Sequence, residues 1–225
     1  MRKKTWLSWS SGKDSAWALH VLRQSAEYEV AGLFTTVNAA FDRVAMHAVR
    51  VGLLRRQAQA VGLPLHIIEI PYPCSNEQYA AIMADFTAQA VAAGVQCMAF
   101  GDLYLEDVRR YREERLHGSG ITPVFPLWGK PTRALLEEML ASGLRACLTC
   151  VDPRVLPAAF AGRELTAALV DALPEGVDPC GENGEFHTFV FDGPMFSQPV
   201  AITMGEVVTR DGFVFADCLP GETGK

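Results

Sequence analysis

The sequence contains no apolar run long enough to cross a membrane as a helix, and the short apolar stretch after the basic residues 2–4 is broken by Ser and Gly. Such a stretch is too short for an export signal, so we expect a cytoplasmic protein with no membrane partner. A surplus of positive charge is also missing, because the formal net charge is −6 and the pI is about 5.4. Nucleic-acid backbones are held by Lys and Arg, so a nucleic-acid partner is not expected.

Cysteine is sparse, with six residues in 225, and Cys147 and Cys150 form the only close pair. A zinc site needs a second pair or nearby histidines, and only Cys180 and His187 follow, so zinc is not expected and the thiols are predicted to be reduced. The sequence shows no repeat and no low-complexity stretch. It does contain 49% hydrophobic residues, which is enough for one large domain or for a medium and a small one.

The stretch Ser10-Ser11-Gly12-Lys13-Asp14-Ser15 stands out from its surroundings. An aromatic and β-branched segment precedes it and apolar residues at helical spacing follow it, which predicts a strand, a tight turn and a helix beginning near Asp14. Such a turn directs backbone N–H groups and a helix dipole at one point and thereby favours an anion. Gly12 allows close approach, Lys13 adds positive charge, and Asp14 suits a Mg²⁺ ion bound to phosphates. A capping turn alone would not need the Lys-Asp pair, and the spacing is not that of a Walker A loop.

Strands and helices alternate along the first half of the chain. Predicted strands cover residues 29–37, 65–70, 95–100 and 121–125, and predicted helices cover residues 43–61, 76–93 and 105–117, with Asn76 as an N-cap. This alternation predicts an α/β fold with a parallel sheet, whose ligand lies beyond the carboxyl ends of the strands. Residues 10–15, Thr35-Thr36 and Gly101-Asp102 are expected to converge there.

The turn-rich residues 126–131 predict a boundary between a domain of residues 1–128 and a domain of residues 129–225. In the second domain, helices are predicted at 132–142, capped by Thr132, and at 163–173, with a loop at 152–161. Strands are predicted at 144–151, 186–191, 200–210 and 213–218. Asp211-Gly212 is typical of the tight turn of a hairpin between the last two strands.

A second polar stretch spans residues 178–188, where Glu182, Asn183, Glu185, His187 and Thr188 surround two glycines. A solvated turn before a strand would need the glycines, but it would not need these polar side chains together. Polar side chains gathered on a rigid turn are typical of a binding site. A binding site and a solvated turn both remain open on these residues alone.

The predicted helix at 105–117 is densely charged. Most of its charges are expected on a solvated face with i,i+4 pairs such as Arg109 and Glu113. Because the helix begins beside the carboxyl edge of the sheet, one or two of its arginines could reach a polyphosphate or an anionic substrate.

The loop at 10–15 resembles the pyrophosphatase loop, Ser-Gly-Gly-x-Asp-Ser, of the N-type ATP pyrophosphatases (PP-loop, adenine nucleotide alpha hydrolase-like proteins), with Ser11 at the first Gly. In combination, several motifs resemble the diphthine–ammonia ligase family: this loop, Met46-His47, Gly101-Asp102 with Arg109 and Glu113, Pro126-Leu127-Trp128, Glu182-x-Gly184-Glu185 with Thr188, and residues 192–196. The resemblance implies a HUP-like, Rossmann-like N-terminal domain, with a parallel sheet flanked by helices, and a smaller C-terminal α/β domain. It also implies ATP-dependent amidation, in which a carboxylate is adenylated, pyrophosphate leaves and ammonia displaces AMP.

Two residues depart from the pattern of the ligases that make diphthamide, which resembles Glu-Gly-Gly-Glu-Tyr/Phe-Glu-Thr. Asn183 replaces the second Gly and His187 replaces the later Glu. A bacterial branch of the family has a similar Glu-Asn-Gly-Glu-Phe-His-Thr form. Bacteria lack the elongation factor that carries diphthamide, and this branch is thought to act in cobalamin-related metabolism. The resemblance therefore implies the reaction type more than the substrate.

These observations assign hypothetical roles to the candidate residues. The phosphates of ATP would be held by Ser10, Ser11, Gly12, Lys13, Asp14 and Ser15, of which Lys13 and Asp14 would also be catalytic and Asp14 would bind Mg²⁺. Adenosine would be bordered by Thr35 and Thr36, and the ribose or the metal would lie beside Gly101 and Asp102. Two further catalytic residues would be Glu182 and Glu185, and the substrate would be contacted by Asn183, Gly184, His187, Thr188 and Arg109. The expected partners are ammonia and a small-molecule or protein-borne carboxylate, and a homodimer is left open. Two alternatives are a nucleotide sensor without turnover and a sulfur-transfer enzyme that uses Cys147, Cys150 or Cys180.

Overall fold

The computed structural model describes residues 1–38, 43–44 and 49–222. The strands of its first sheet are, in chain order, β1 (Lys3–Ser8), β2 (Tyr28–Asn38), β3 (Arg43–Val44), β4 (Leu65–Ile70), β5 (Cys97–Ala99) and β6 (Thr122–Val124). Five of them run parallel in the spatial order β4-β2-β1-β5-β6, and the two-residue β3 pairs antiparallel with the end of β2. β1 therefore lies in the middle of the sheet, and its carboxyl end leads directly into the 10–15 turn.

The helices of this half are α1 (Lys13–Gln24), α2 (Val51–Val61), α3 (Asn76–Ala92) and α4 (Glu106–Leu116). α2 ends at Gly62, whose φ of +71° suits glycine and whose N–H donates to the carbonyls of Ala58 and Gln59. α3 begins with a capping box between Ser75 and Gln78. Ser75 is thus the N-cap of α3, and the prediction of Asn76 at that position is wrong.

The second half contains α5 (Thr132–Ala141), β7 (Arg145–Val151), α6 (Ala167–Asp171), β8 (Phe186–Asp192), β9 (Ile202–Arg210) and β10 (Phe213–Pro220). Its four strands form an antiparallel sheet in the order β8-β7-β10-β9. Asp211 and Gly212 have φ values of +50° and +83°, as a two-residue hairpin turn requires. The predicted α/β fold, with a parallel sheet and a smaller C-terminal part, is confirmed.

The main hydrophobic core extends across both halves of the chain. Trp9 and Trp17 from the first half and Phe189 from the second are fully buried in the same cluster. A smaller cluster around Trp6 and Phe86 lies apart from it and contains residues of the first half only. The boundary between residues 128 and 129 remains a prediction. None of the helices in the described part of the chain is long and apolar enough to cross a membrane.

Several predicted element bounds are wrong. Residues 43 and 44, predicted as helix, form β3; α2 begins only at Val51, and Met46-His47 lies outside the described residues. The helix predicted at 163–173 is reduced to α6, because residues 163 and 165 form backbone hydrogen bonds with β7. The N-cap position of α5 is Pro131, so Thr132 does not cap it. The predicted loop at 152–161 contains a 3₁₀ turn, Ala158–Phe160.

Candidate functional site

The turn between β1 and α1 lies at the carboxyl edge of the parallel sheet. Gly12 occupies the N-cap position of α1, so the N-cap residue itself has no side chain to cap the helix. Ser11 has a left-handed backbone conformation, with φ at +73°, which costs a non-glycine residue about 1–2 kcal/mol. Gly12 is tightly packed, since a Cβ there would lie 3.2 Å from the carbonyl oxygen of Thr188. The predicted strand, turn and helix are therefore present, and the turn presses against β8.

Three hydrogen bonds fix the backbone of this turn from distant parts of the chain. The N–H of Lys13 donates to Thr188 Oγ1 at 3.1 Å. The carbonyl of Ser11 accepts from the N–H of Val190 at 3.0 Å and from Gln57 Nε2 at 3.1 Å. The two polar stretches of the sequence therefore meet in the folded chain.

Lys13 and Asp14 form a buried pair in the turn. Lys13 Nζ donates to Asp14 Oδ2 at 2.9 Å and also to the carbonyl of Cys180. Burial lowers the pKa of Lys13, but Asp14, Cys180 and Glu182 together outweigh this effect and hold the pKa above its ordinary value. Burial also raises the pKa of Asp14, although the Lys13 ammonium opposes that shift. Asp14 Oδ1 is buried and has no hydrogen-bond partner among the described residues, which fits an oxygen ligand for a hard cation such as Mg²⁺.

A cavity of about 380 Å³, here called the turn cavity, lies over the 10–15 turn. Its walls come from the turn, the end of β5, α4 and residues 180–188. The predicted site residues that line it are Ser10, Gly12, Lys13, Asp14, Ser15, Gly101, Asp102, Glu182, Gly184, His187 and Thr188. Ser11 is not among the lining residues, and its buried hydroxyl has no partner in the described part of the chain.

Gly101 allows the end of β5 to approach the turn. A Cβ at this position would lie 2.9 Å from the carbonyl carbon of Asp14, closer than side-chain carbons come to backbone atoms. The absence of a side chain at Gly101 therefore determines how closely the two segments pack.

Arg112, rather than Arg109, lies at the turn cavity. Its Nε donates to Asp102 Oδ2 at 2.9 Å, and it is one of the lining residues. Arg109 instead pairs with Glu113 at 2.8 Å, and its guanidinium lies 4.8 Å from the centre of the Trp128 ring. Arg109 is not a lining residue, so its contact with a substrate remains a prediction without geometric support.

A second cavity of about 470 Å³, here called the strand-end cavity, adjoins the first. The two share the lining residues Ser8, Ser10, Phe100 and Arg112. Thr35 and Thr36, predicted to border adenosine, line this second cavity together with mostly apolar side chains of α3 and α4. An extended ligand with a polar and an apolar end could therefore occupy both.

Glu182 and His187 give the turn cavity its acid–base character. Glu182 Oε1 accepts from the N–H of Leu103 at 2.8 Å. Burial raises the pKa of Glu182 to about 7, and the nearby Asp14 charge acts in the same direction. Burial, helped by the Lys13 charge, lowers the pKa of His187 to about 4. The imidazole is therefore neutral near pH 7, whereas Glu182 can gain or lose a proton there.

Glu185 stabilises the acidic turn from within. Its carboxylate accepts from the backbone N–H groups of Asp178 and Asn183, at 3.0 and 2.9 Å, and from the side-chain amide of Asn183 at 3.0 Å. Glu185 and Asn183 line a different cavity, together with Asp152 and Arg154. Their assigned roles in catalysis and substrate contact remain predictions, and the geometry shows Glu185 holding the turn in shape.

Sequence reasoning missed Arg112 and Gln57. Arg112 belongs to a helix with many charges, and spacing alone did not separate it from its neighbours. Gln57 is fully buried within α2, at helical spacing from Leu53, Leu54 and Val61. The sequence signal that could have identified Gln57 is a single amide side chain on the otherwise apolar face of a predicted helix.

A parallel sheet with a strand, a tight turn and a helix N-terminus at its carboxyl edge is the architecture common among nucleotide-binding α/β proteins. Within that class, two family models match this chain: the diphthamide synthase N-terminal domain over residues 3–122 and the diphthamide synthase C-terminal domain over residues 131–215. The first match alone covers more than half of the 225 residues, so the chain belongs to the diphthamide synthase family. This confirms the family that the motifs indicated.

Curated relatives carry the name diphthine–ammonia ligase. The protein from Danio rerio is 36% identical over 118 residues, which cover 50% of this chain and 46% of the relative. The human protein is 31% identical over 118 residues, covering 50% of this chain and 44% of the relative. The Schizosaccharomyces pombe protein is 36% identical over 94 residues, covering 40% and 15%. The chain thus matches less than half the length of each of these relatives.

Proposed function

We propose that this chain is an ATP-dependent ligase that adenylates a substrate carboxylate, releases pyrophosphate and lets ammonia displace AMP to form an amide. The relatives named diphthine–ammonia ligase support the ligase class. The observation that carries the finer proposal is the meeting of the 10–15 turn and residues 182–188 in one cavity, fixed by the bond from the Lys13 N–H to Thr188.

In this proposal the 10–15 turn holds the phosphates of ATP, and the strand-end cavity takes the adenosine. Arg112 lines both cavities and adds positive charge where they join. Asp14 would hold Mg²⁺ through its unpartnered oxygen, and the ion would neutralise phosphate charge. No group of three or more His, Cys, Asp or Glu side chains in the described ranges could hold a metal, so phosphates and water would complete the coordination of this ion.

Lys13 and Glu182 would do the chemical work of the chain itself. Lys13 Nζ, fixed by Asp14 and the Cys180 carbonyl, would stabilise negative charge on the transferring group. Glu182 would take the proton that the incoming amine must lose, because its pKa of about 7 suits a base near neutral pH. Displacement at phosphorus and then at the acyl carbon needs positioning rather than an enzyme nucleophile.

We further propose that the acceptor is a carboxylate other than diphthine. His187 lines the turn cavity as a neutral imidazole, where the diphthamide-forming pattern has an anionic Glu. This replacement removes one negative charge from the wall and favours a more anionic substrate. A corrinoid carboxylate is the candidate that the bacterial form of the motif suggests, and ammonia is the amine donor.

The two alternative functions predict different behaviour. A sensor would bind ATP without turnover. A sulfur-transfer enzyme would need a reactive thiol, yet burial raises the pKa of Cys180, which lines the turn cavity, to about 12. That thiol also donates to the carbonyl of Thr132. These contacts do not favour sulfur transfer.

The deciding experiment is the exchange of labelled pyrophosphate into ATP in the presence of Mg²⁺. Candidate carboxylates are supplied without ammonia, and a corrinoid acid is compared with a diphthine-bearing protein. We expect exchange that depends on the corrinoid acid, followed by amide and AMP formation once ammonium is added. ATP binding without exchange for any carboxylate would contradict the ligase and support the sensor.

Asp14→Asn tests the metal assignment in the same assay. We expect a loss of at least about 100-fold in exchange with the fold retained by circular dichroism, because the amide lacks the charge that binds the cation. The matched control is Asp107→Asn, which changes an exposed acidic residue in the first turn of α4. An Asp14→Asn variant as active as the control would show that Asp14 does not bind the metal.

A further inference from the structure

Strand β9 forms the outer edge of the antiparallel sheet. Seven of its nine residues pair with β10 on one side, the register shifting at Gly205 and Glu206, and no strand of the described ranges lies on the other side. An edge strand presents a row of unpaired backbone N–H and C=O groups, which natural proteins usually cover or interrupt. β9 contains no proline or lysine to protect this edge, and the register shift at Gly205 and Glu206 leaves residues 207–210 as its regular part.

Both faces of β9 are exposed as well as its edge. Consecutive strand residues point to opposite faces, and Val207 and Val208 are 57% and 39% exposed. Val207 pairs with Ala216, which is buried on the core-facing side of the sheet. Because Val207 itself is exposed, the residues that pack against this side of β10 do not extend over β9. Two exposed valines on a bare edge are typical of a surface that binds another strand.

The body of the protein fixes the hairpin of β9 and β10 at its base. Arg50 Nη2 pairs with Asp217 Oδ2 at 2.5 Å, and Arg56 Nη1 donates to the carbonyl of Gly221 at 2.9 Å. A fixed strand loses little conformational freedom when it pairs, which favours association.

The hairpin turn determines which backbone groups of β9 point outward. In a hairpin closed by two residues, the flanking pair, Arg210 and Phe213, is hydrogen-bonded, and the pattern alternates from there. The regular ladder runs from Val207 to Arg210, so Val207 and Thr209 direct their N–H and C=O groups away from β10. Two copies related by a two-fold axis can pair Val207 with Thr209 when the axis passes beside Val208.

Charge selects the same register. With the axis at Val208, Glu206 of each copy, which directly precedes the regular ladder, lies opposite Arg210 of the other copy. A register centred on Val207 would leave both charges opposite uncharged side chains, and one centred on Glu206 would oppose like charges. Both residues are exposed and neither forms an ion pair with the described residues of its own chain.

We propose that β9 is a dimerisation edge. Two copies of this chain pair their β9 strands antiparallel around Val208 and join their sheets into one sheet of eight strands. The two Glu206–Arg210 pairs between copies fix the register. This interface is independent of the turn cavity and of the proposed reaction.

The test is the mass of the 225-residue chain by sedimentation velocity between about 1 and 200 µM, the range in which modest interfaces assemble. We expect the wild type to move from 24.5 kDa towards twice that mass as concentration rises. Glu206→Arg places like charges opposite each other and should weaken the dimer at least tenfold, roughly the effect of a reversed interface charge. The double variant E206R/R210E restores opposite charges and should regain the wild-type mass.

The control is Glu138→Arg, a reversal at an exposed residue of α5 far from β9 in the chain, which should dimerise like the wild type. Circular dichroism verifies that each variant is folded. A wild type that stays monomeric at every concentration overturns the proposal. So does a dimer that Glu206→Arg leaves intact, and failure of the double variant to recover overturns the Val208 register.

Discussion

At the scale of single residues, Ser11 combines two unfavourable features. Its φ of +73° costs about 1–2 kcal/mol for a non-glycine residue, and its buried hydroxyl lacks a partner in the described part of the chain. Glycine would remove both, at an entropic cost of about 0.5–1 kcal/mol. We therefore expect Ser11→Gly to raise the free energy of unfolding by about 1 kcal/mol.

Urea denaturation measures this change, and Ser11→Ala separates its two sources. The alanine variant keeps the left-handed backbone and removes only the hydroxyl, so it should gain less than the glycine variant. A glycine variant less stable than the wild type would show that the Ser11 hydroxyl has a stabilising contact.

Glu182 should make stability depend on pH. Its pKa rises from the ordinary 4.5 to about 7 in the folded chain, so folding favours the protonated form. Stability is therefore highest below pH 4.5 as far as this group is concerned, and it falls as the pH rises towards 7. We expect Glu182→Gln, which removes the charge and keeps an acceptor for Leu103, to be more stable at pH 8 by about 1 kcal/mol after allowance for solvent screening.

Urea denaturation of both proteins at pH 5 and pH 8 checks this sign. The gap between the variant and the wild type should widen between the two values. A gap that is equal at both would mean that Glu182 titrates normally.

At this scale the sequence singled out the residues of the 10–15 turn, but it did not predict which side chains contact one another. Lys13 and Asp14 could be found because a Lys-Asp pair in a strand-to-helix turn has no role in capping. Glu185 and Arg109 could not be placed, because the side chain that faces a cavity depends on the path of the turn and on the rotation of α4. The path of the turn and the rotation of α4 are determined by tertiary packing. The contacts of Arg112 and Glu185 are therefore visible only in the folded structure.

At the scale of elements, the close packing of β5 against the 10–15 turn depends on Gly101. A methyl group there would meet the carbonyl carbon of Asp14 at 2.9 Å, and backbone cannot yield as a flexible side chain can. We expect Gly101→Ala to reduce carboxylate-dependent pyrophosphate exchange at least about tenfold, because it displaces the turn from its position against the cavity.

The matched control for this variant is Gly52→Ala in α2. A Cβ at Gly52 meets nothing within 4 Å, and alanine favours a helix by about 0.5–1 kcal/mol over glycine, so this variant should be active and slightly more stable. Full activity in Gly101→Ala would show that the turn tolerates displacement.

The order of elements followed from the alternation of periodic patterns, and β4 was predicted with the bounds it has. The predicted element bounds are wrong where pairing with another strand overrides the local sequence pattern. Residues 43 and 44 continue a helical spacing yet pair with β2, and residues 163 and 165 bond to β7. The β7 partners of residues 163 and 165, Leu148 and Ala146, lie 15 and 19 residues earlier, too far away for a local pattern to show them.

At the scale of the whole molecule, Gln57 connects three distant segments. It is fully buried, accepts from the indole N–H of Trp9 at 2.9 Å, and donates to the carbonyls of Ser11 and Val190. Gln57→Leu keeps the volume and removes this partner from the Trp9 indole N–H and the Val190 carbonyl, whereas the Ser11 carbonyl keeps its bond from the Val190 N–H. We expect a loss of about 2–4 kcal/mol in the free energy of unfolding, since each orphaned buried group costs roughly 1–3 kcal/mol.

Equilibrium unfolding in urea measures the loss, with Gln89→Leu as the control. Gln89 is exposed on α3, so its replacement should change stability by less than about 0.5 kcal/mol. Equal stability of the two variants would mean that the chain relaxes around position 57 at little cost.

The sequence predicted the α/β class and the convergence of the strand ends, because parallel strands bring their carboxyl ends to one edge. It predicted strands in the second half without their order, and it gave no sign that one core would include Trp17 and Phe189 together. Long-range packing of that kind depends on the complementary shapes of the two halves, which no window of sequence contains.

The bracing of the 10–15 turn by Val190 also bears on how the protein is made. Two of the three hydrogen bonds that hold the backbone of the turn come from Thr188 and Val190, which lie 175 and 179 residues after their partners Lys13 and Ser11. A chain that is still being synthesised therefore lacks this bracing until β8 has been translated, so the turn reaches its folded conformation only after that strand has been made.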